Sequence, residues 1–399
     1  MRIAMFSDTF YPELSGIGDS ILIMGEELAK RGHFITYFVP TYFQEQYECL
    51  QREKTFDLHP NIKVHRLLSI STPTGTGQGR MVLPIGGSFF NLRKMNPDLI
   101  HFHLFGGSAL EAVWGARMFS KPLVATNHSP ILEFSHYSPV QLKWIENLMH
   151  RSDSWLHNRC DFVSSPSRTI FESMKNFDEK IPHRVVSNPI DTIRFQAHFS
   201  KEEMKKRFGF RKFTILYLGR FASEKNIETI LKAVFLLKER IPSFELVLVG
   251  NGIHEKALRG LAETLEISHL VKFLGFVPSI EEVVRIYNAS DVFVMMSHAE
   301  TQSISAMQAF SCKIPVIAAS AWGLKEYIQK EAGFLIDPDN EKALAEKIFT
   351  LYSQPDLRQK MGEEGRKYVE KFSIGNIARQ WEEIYEFVLR SRSSDWVNT

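Results

Sequence analysis

The stretch Phe213-Thr214-Ile215-Leu216-Tyr217-Leu218-Gly219-Arg220-Phe221-Ala222-Ser223-Glu224-Lys225 decides the fold. Its first six residues read as a buried strand, Gly219 ends the run, and a helix-like segment follows. The same unit recurs downstream, with apolar runs at 244–249, 271–274, 292–296 and 315–318. Upstream, runs at 3–6, 35–39, 62–67, 99–102, 123–126 and 162–164 alternate with amphipathic stretches such as 19–31 and 107–119. Alternation of this kind means βαβ units on parallel sheets. An α/β chain with two doubly wound domains in series is therefore expected. The domains are drawn at 1–195 and 196–374, with a polar, Pro189-bearing linker around 187–201. Leu142, Ile145, Leu148, Ser152 and Trp155 recur at helical spacing and predict a helix that buries this face. A helical tail runs from about 341 to 392, with Trp381, Ile384, Tyr385 and Val388 as its late apolar stripe.

Composition narrows the function. The 399 residues are 44% hydrophobic and include 31 phenylalanines, enough for a large core in each half. A net charge of +2 argues against a dedicated nucleic-acid binder, which would carry a domain-wide basic excess. Cys49, Cys160 and Cys312 lack metal-ligand spacing, and their sparse, odd number suits a reducing compartment. The apolar run before Asp8 is too short for a signal peptide, and no window approaches the ~18 apolar residues of a membrane span. The expectation is a cytosolic protein, with membrane contact limited to the periphery.

In doubly wound sheets ligands sit where strands end and loops turn into helices. Four such loops stand out. After the first strand, Ser15-Gly16-Ile17-Gly18-Asp19-Ser20 offers glycine backbone to an anion ahead of a helix N-terminus; the alternative is a tight turn. After 213–218, Gly219 permits close approach while Arg220 and Lys225 supply charge for a diphosphate. A basic pair at a helix start opposes the helix dipole, so an anion explains it better than a solvated surface. After 292–296, Glu300 can accept from sugar hydroxyls, and the amides of Gln302, Ser303 and Ile304 can meet ligand oxygens. The competing reading is that Glu300 and Thr301 cap a helix. After 123–126, His128 can donate to a substrate oxygen or move a proton, or be structural. Asp337 and Asp339 resemble a metal pair but precede a helix, so capping is expected of them.

With these residues in place, the chain resembles the retaining GT-B glycosyltransferases of glycosyltransferase family 4. The resemblance spans nearly the whole length. It rests on Phe10-Tyr11-Pro12 with Gly16, Arg31-Gly32-His33, Pro97-Asp98-Leu99-Ile100-His101, Thr126-Asn127-His128, Ser165-Pro166-Ser167, Asn188-Pro189-Ile190-Asp191, Gly219-Arg220 with Lys225, Val249-Gly250-Asn251-Gly252, and the Glu300 segment with Ile314-Pro315-Val316. It implies two Rossmann-like domains with a cleft between them, and a final helix of about 375–399 crossing back to the first. Arg220 and Lys225 would bind the diphosphate of a nucleotide-sugar donor such as UDP-glucose or GDP-mannose. Glu300 and the 302–304 amides would hold the transferred hexose, with His128 on its other side and Gly16 near the phosphate. Gly219 would admit the donor closely, and Gly250, Asn251 and Gly252 would lie near the nucleotide. No cofactor and no metal are implied.

One position departs from the family signature. Gln308 stands where a second glutamate usually accepts from the donor ribose, so the charge is lost and one carbonyl acceptor remains. About 1 kcal/mol of donor binding is the expected cost. This motivates an alternative: a catalytically silent GT-B protein that binds a sugar nucleotide or scaffolds a partner. The Glu300-Thr301-Gln302 segment looks most like diacylglycerol glucosyltransferases and phosphatidylinositol mannosyltransferases, implying a lipid or saccharide acceptor at the inner face of the cell membrane. Between Asp57 and Asp98 stand Lys63, Arg66, Arg80, Arg93 and Lys94 with no acidic residue, alongside a glycine-rich loop at 74–79 and an apolar run at 81–85. Peripheral contact with an anionic membrane is the expectation drawn from them; the alternative is a basic surface with no membrane role.

Overall fold

The computed structural model describes residues 1–13, 15–49, 52–54, 57–72, 79–128, 143–211 and 213–395. The glycine-rich loop at 74–79, except Gly79, and Leu142 lie outside these, as do the side chains of Cys49 and Ile145. The chain divides into two compact units, Met1–Pro189 with Ile374–Thr399, and Ile190–Ser373.

Unit 1 runs β1 (Arg2–Ser7), α1 (Gly16–Lys30), β2 (Phe34–Pro40), α2 (Gln44–Cys49), β3 (Ile62–Leu67), β4 (Ser69–Ser71), β5 (Arg80–Val82), α3 (Phe89–Met95), β6 (Leu99–His103), α4 (Gly107–Met118), β7 (Leu123–Thr126), α5 (Lys143–His157), β8 (Phe162–Ser165), α6 (Arg168–Ser173) and β9 (His183–Val185). Its sheet is parallel, in the order β3-β2-β1-β6-β7-β8-β9. Helices cover both faces, so β6 is buried at every position, its two histidines included. The order reverses between β1 and β6, which makes the ends of those strands the place for a ligand. There the Asp8 carboxylate accepts from the Ser108 amide at 3.0 Å, the Ser108 hydroxyl at 2.7 Å and the Val82 amide at 2.6 Å. A second buried carboxylate, Glu111 on α4, gathers the amides of Gly86 at 2.6 Å, Gly87 at 3.2 Å and Ser88 at 3.2 Å. It so fixes the entry to α3.

Unit 2 runs α7 (Lys201–Phe208), β10 (Phe213–Leu218), α8 (Ile227–Leu237), β11 (Phe244–Val249), α9 (Glu255–Thr264), β12 (Val271–Gly275), α10 (Ile280–Asn288), β13 (Val292–Met295), α11 (Ile304–Ser311), β14 (Val316–Ala319), α12 (Leu324–Tyr327), β15 (Gly333–Ile336), α13 (Glu341–Ser353) and α14 (Pro355–Val369). The parallel sheet has the order β12-β11-β10-β13-β14-β15 and reverses between β10 and β13. On α8, Ile227, Ile230, Leu231, Val234 and Leu237 keep helical spacing and are fully buried. Each contributes about 1.5–3 kcal/mol by leaving water. The last helix, α15 (Ile374–Asp395), belongs to unit 1. It buries Trp381, Ile384, Tyr385 and Val388, and its Glu382 pairs with Arg31 at 3.0 Å and His33 at 2.9 Å.

Several expectations are corrected. The division between the units falls at Pro189/Ile190, inside the 187–201 segment, whose Ile190 and Phe195 pack into the unit 2 core and whose Ile190 amide donates to the Phe372 carbonyl at 2.8 Å. Helix α5 turns the other way round from its sequence pattern. Leu148 and Trp155 are exposed, while His150, Asp153, Ser154, Leu156 and His157 face inward. The polar members of that inner face interact locally: His157 Nδ1 bonds the Asp153 carbonyl at 2.9 Å and lies 3.0 Å from the Asp153 carboxylate, and the Ser154 hydroxyl donates to the His150 carbonyl at 2.7 Å. Of the basic residues at 58–97, Arg80 is buried on Ser69, and Arg66 donates to the carbonyls of Pro40 at 3.1 Å and Tyr11 at 2.8 Å. Those two hold loops together and leave Lys63, Arg93 and Lys94 at the surface.

Candidate functional site

The unit 2 site forms where the sheet order reverses, between the loops that leave β10 and β13. The buried Tyr217 hydroxyl donates to the Arg220 carbonyl at 2.8 Å and fixes the loop just past Gly219. Gly219 donates to the Val249 carbonyl at 3.0 Å, and Phe221 to that of Asn251 at 2.8 Å, so the β10 and β11 loops run side by side. Their closeness explains two glycines. A Cβ at Gly250, whose φ is +129°, would stand 2.0 Å from the Gly219 oxygen, and one at Gly252 would stand 2.3 Å from that of Phe221.

Lys225 and Glu300 meet: Nζ and Oε1 are 2.7 Å apart, with the side chains 10% and 15% exposed. Arg220 lies at 3.4 Å from the Glu224 carboxylate. Glu224, missed in the sequence although it stands between the two cations, ties the loops together. Its carbonyl accepts from the His298 amide at 2.8 Å and the Ser297 hydroxyl at 3.0 Å. Gln302 and Ser303 are buried beside Glu300. The helix is capped neither by Glu300 nor by Thr301: Ser303 accepts from the Ala306 amide at 3.3 Å and Ile304 opens α11. Gln308 offers its carbonyl to the Tyr287 hydroxyl at 3.2 Å.

The Asp337–Asp339 pair caps nothing either, because Asn340 caps α13 by accepting from the Ala343 amide at 2.9 Å. Asp339 instead accepts from Asn226 at 3.0 Å and bonds His298 at 2.8 Å, bracing the loop that carries Glu300. His298 and Asn226 were also missed; polar residues flanking both Glu300 and Lys225 were the available signal. Among the described residues no group of three or more His, Cys, Asp or Glu side chains could hold a metal ion.

In unit 1, Gly16 is the first residue of α1 rather than part of a turn, and Ser15 makes no side-chain cap there. His128 is buried just past β7, with its Nε2 at 3.1 Å from His103 Nδ1. The His103 ring lies tilted with its centre 4.1 Å from that of His101, which bridges the Tyr385 hydroxyl at 2.9 Å and the Thr126 hydroxyl at 2.8 Å. Burial pushes His101 and His128 each down to about 3, and burial with the two neighbouring imidazoles holds His103 low as well. All three are neutral near pH 7. One of the facing nitrogens of His103 and His128 must donate and the other accept. Their remote atoms, His103 Nε2 and His128 Nδ1, are buried without a partner among the described residues. That leaves one free donor and one free acceptor, the complement of a hydroxyl. His101 and His103 were missed as site residues; their alternation at the end of β6 was the signal.

Comparison with known proteins now bears on these two sites. The profile described as "Glycosyltransferase Family 4" matches residues 14–194, and that described as "Glycosyl transferases group 1" matches residues 200–368. The chain belongs to the family 4 type of GT-B glycosyltransferases. This glycosyltransferase is 25% identical over 385 residues to an alpha-monoglucosyldiacylglycerol synthase of Streptococcus pneumoniae, covering 89% of this chain and 83% of that one. It is 29% identical over 297 residues to a putative glycosyltransferase, EpsD, of Bacillus subtilis, covering 72% and 76%. A sucrose-phosphate synthase from Thermosynechococcus elongatus superimposes with a TM-score of 0.79 at 20% identity, over 98% of this glycosyltransferase and 99% of that chain. This last likeness gives the fold: two Rossmann-like, doubly wound domains of the GT-B kind.

Proposed function

We propose that this glycosyltransferase moves a hexose from a nucleotide-diphosphate sugar to the hydroxyl of a membrane lipid, with retention at the anomeric carbon. The observation that carries the reading is the Lys225–Glu300 pair at the reversal point of unit 2, with Arg220 on the adjoining loop. A diphosphate entering there draws the Lys225 ammonium and the Arg220 guanidinium, and the released Glu300 carboxylate accepts from hexose hydroxyls. The bond between the anomeric carbon and the phosphate oxygen breaks, and the acceptor oxygen takes the same face. The acceptor proton passes to the departing phosphate, whose growing charge the two cations stabilise. Gly219 and the Gly250–Asn251–Gly252 segment take the nucleotide side, and the 302–304 amides face the hexose. Gly16 takes the phosphate side of unit 1, and His128 acts there as a neutral hydrogen-bonding group. No metal is required in this scheme.

Two features favour a lipid acceptor met at the inner face of the membrane. Leu68, Ile70, Met81, Ile85 and Phe90 are all exposed, and Arg93 and Lys94 lie beside Phe90 on α3. Among the described residues no helix is long and apolar enough to cross a membrane, and the contact in this reading is a peripheral one. The test is incubation with UDP-glucose, GDP-mannose or UDP-N-acetylglucosamine and diacylglycerol-bearing vesicles, with product read by mass spectrometry and anomeric configuration by NMR. One donor should yield an α-linked glycolipid from an α-linked donor. Binding of a sugar nucleotide with neither transfer nor slow hydrolysis would overturn the reading in favour of a silent carrier, the outcome that Gln308 motivates.

A further inference from the structure

Helix α5 exposes what most helices bury. Trp144 and Leu148 are 63% and 55% exposed, Trp155 stands on the same outward stripe, and the inward stripe is the polar set described above. Neighbouring α4 packs against α5 and exposes Trp114 and Met118 one turn apart. Single exposed apolar side chains are ordinary on any protein. Five large ones on two packed helices are not.

Three cations of this face lack a carboxylate partner among the described residues. Arg117 on α4, Arg151 on α5 and Arg159 just beyond make no ion pair among the described residues, and the Arg159 guanidinium lies 3.7 Å over the Trp155 ring. Arg117, Lys121, Arg159 and Arg392 line one cavity between the end of α4 and the start of β7, where Arg392 alone of the three arginines has a carboxylate partner, Asp161 at 2.9 Å. Arg159 is held below its ordinary value by desolvation and then by Arg117. Glu111 on α4 and Asp153 on α5 are both buried, so the described outward positions of the two helices carry no acidic side chain.

We propose that the α4–α5 face docks on an anionic bilayer, with its tryptophans at the headgroup level and its arginines on lipid phosphates. Tryptophan prefers that boundary. Arg159, over the Trp155 ring, spends one Nη1 donor on the Trp155 carbonyl at 2.7 Å and turns its remaining donors to phosphate. The positive sign selects a lipid surface of negative charge over a neutral apolar partner. This extends the membrane-lipid reading above, on a surface separate from the 68–94 region.

The experiment is sedimentation of the whole protein with phosphatidylglycerol-containing or pure phosphatidylcholine vesicles, at low and high salt. The Trp114→Ala, Trp155→Ala pair should bind the anionic vesicles at least about tenfold more weakly at either salt. The Arg117→Glu, Arg151→Glu pair should lose a comparable factor at low salt only. In the unaltered protein, brominated lipid should quench tryptophan fluorescence. Transfer to a short-chain, water-soluble acylglycerol should stay within about twofold in both variants, since neither site described above is touched. Unchanged vesicle binding in both pairs overturns the proposal. So does loss of self-association in the tryptophan pair while vesicle binding persists, which would assign the face to a second copy of the chain. If the unaltered protein transfers no sugar yet its vesicle binding depends on these residues, the docking stands and the transferase reading fails.

Discussion

The two units present opposite electrostatics at equivalent places in their sheets. At the reversal point of unit 2, charges face each other, with Lys225 against Glu300 and Arg220 against Glu224, partly open to water. Beside the reversal point of unit 1 stand three buried imidazoles kept neutral by their surroundings. Paired charges in partial contact with solvent can exchange partners when an anion arrives, since the incoming charge replaces the one released. Buried neutral rings cannot follow a changing charge cheaply, but they read the direction of a hydroxyl at fixed geometry. One region therefore suits the part of a substrate whose charge grows, and the other a part whose charge stays constant.

The comparison breaks most directly at the charged pair. Glu300→Ala or Lys225→Ala should lower transfer about a hundredfold to a thousandfold, measured as initial rates at saturating donor. Each change takes a partner away from a largely buried charge. Retained activity in both would remove the pair from the reaction. Gly250→Ala comes next. Its Cβ would collide with the Gly219 oxygen at a φ of +129°, costing about 1–3 kcal/mol in urea unfolding and shifting the loops beside Arg220.

The imidazole side is sharpened by pH. His101 and His128 have folded values of about 3, far below their unfolded value, so their contribution to stability is present above pH ~6.5 and is lost as pH falls from there towards 3. The slope is about 1.4 kcal/mol per pH unit for each. Asp8 runs the other way. Burial pushes it up to about 6 against its three hydrogen bonds, so its contribution is lost as pH rises from ~3.8 through 6. Urea titrations should therefore show acid lability that is steeper in the parent than in His101→Asn, where one proton-linked group is gone. The transfer rate should carry no inflection from His128 between about pH 5 and 8, because that ring does not titrate there. The smallest expected effect is Gln308→Glu. Restoring the carboxylate should lower the donor KM about fivefold, the size of one charge-assisted hydrogen bond gained.

The fold was legible because parallel strands buried on both faces are written as short apolar runs, and each of those at 213–218, 244–249 and 292–296 became a strand. Lys225 and Glu300 were legible because strand order carries loop ends to one place whatever the loop details. Other features depend on which way a side chain turns, and periodicity is silent about that. The stripe containing Leu148 and Trp155 has the right spacing for a buried face, yet the Asp153–His157 pair and the Ser154 bond took the inward side. Capping failed for a similar reason, since Asp339 was drawn to His298 and left the helix to Asn340. Arg66 and Arg80 looked like surface charge only because the carbonyls and hydroxyls they hold lie far away in the chain.

The bond from Ile190 to Phe372 has a wider consequence. The path of the polypeptide leaves for unit 2 and comes home at a single doorway, where the arriving and departing segments touch. Residues 190–373 thus form a cassette whose two ends already meet, and a cassette of that kind can be lifted out, exchanged for another or rejoined end to end without unpicking the host. Whatever residues such an insert carries can change hands between relatives while the host scaffold keeps its own history.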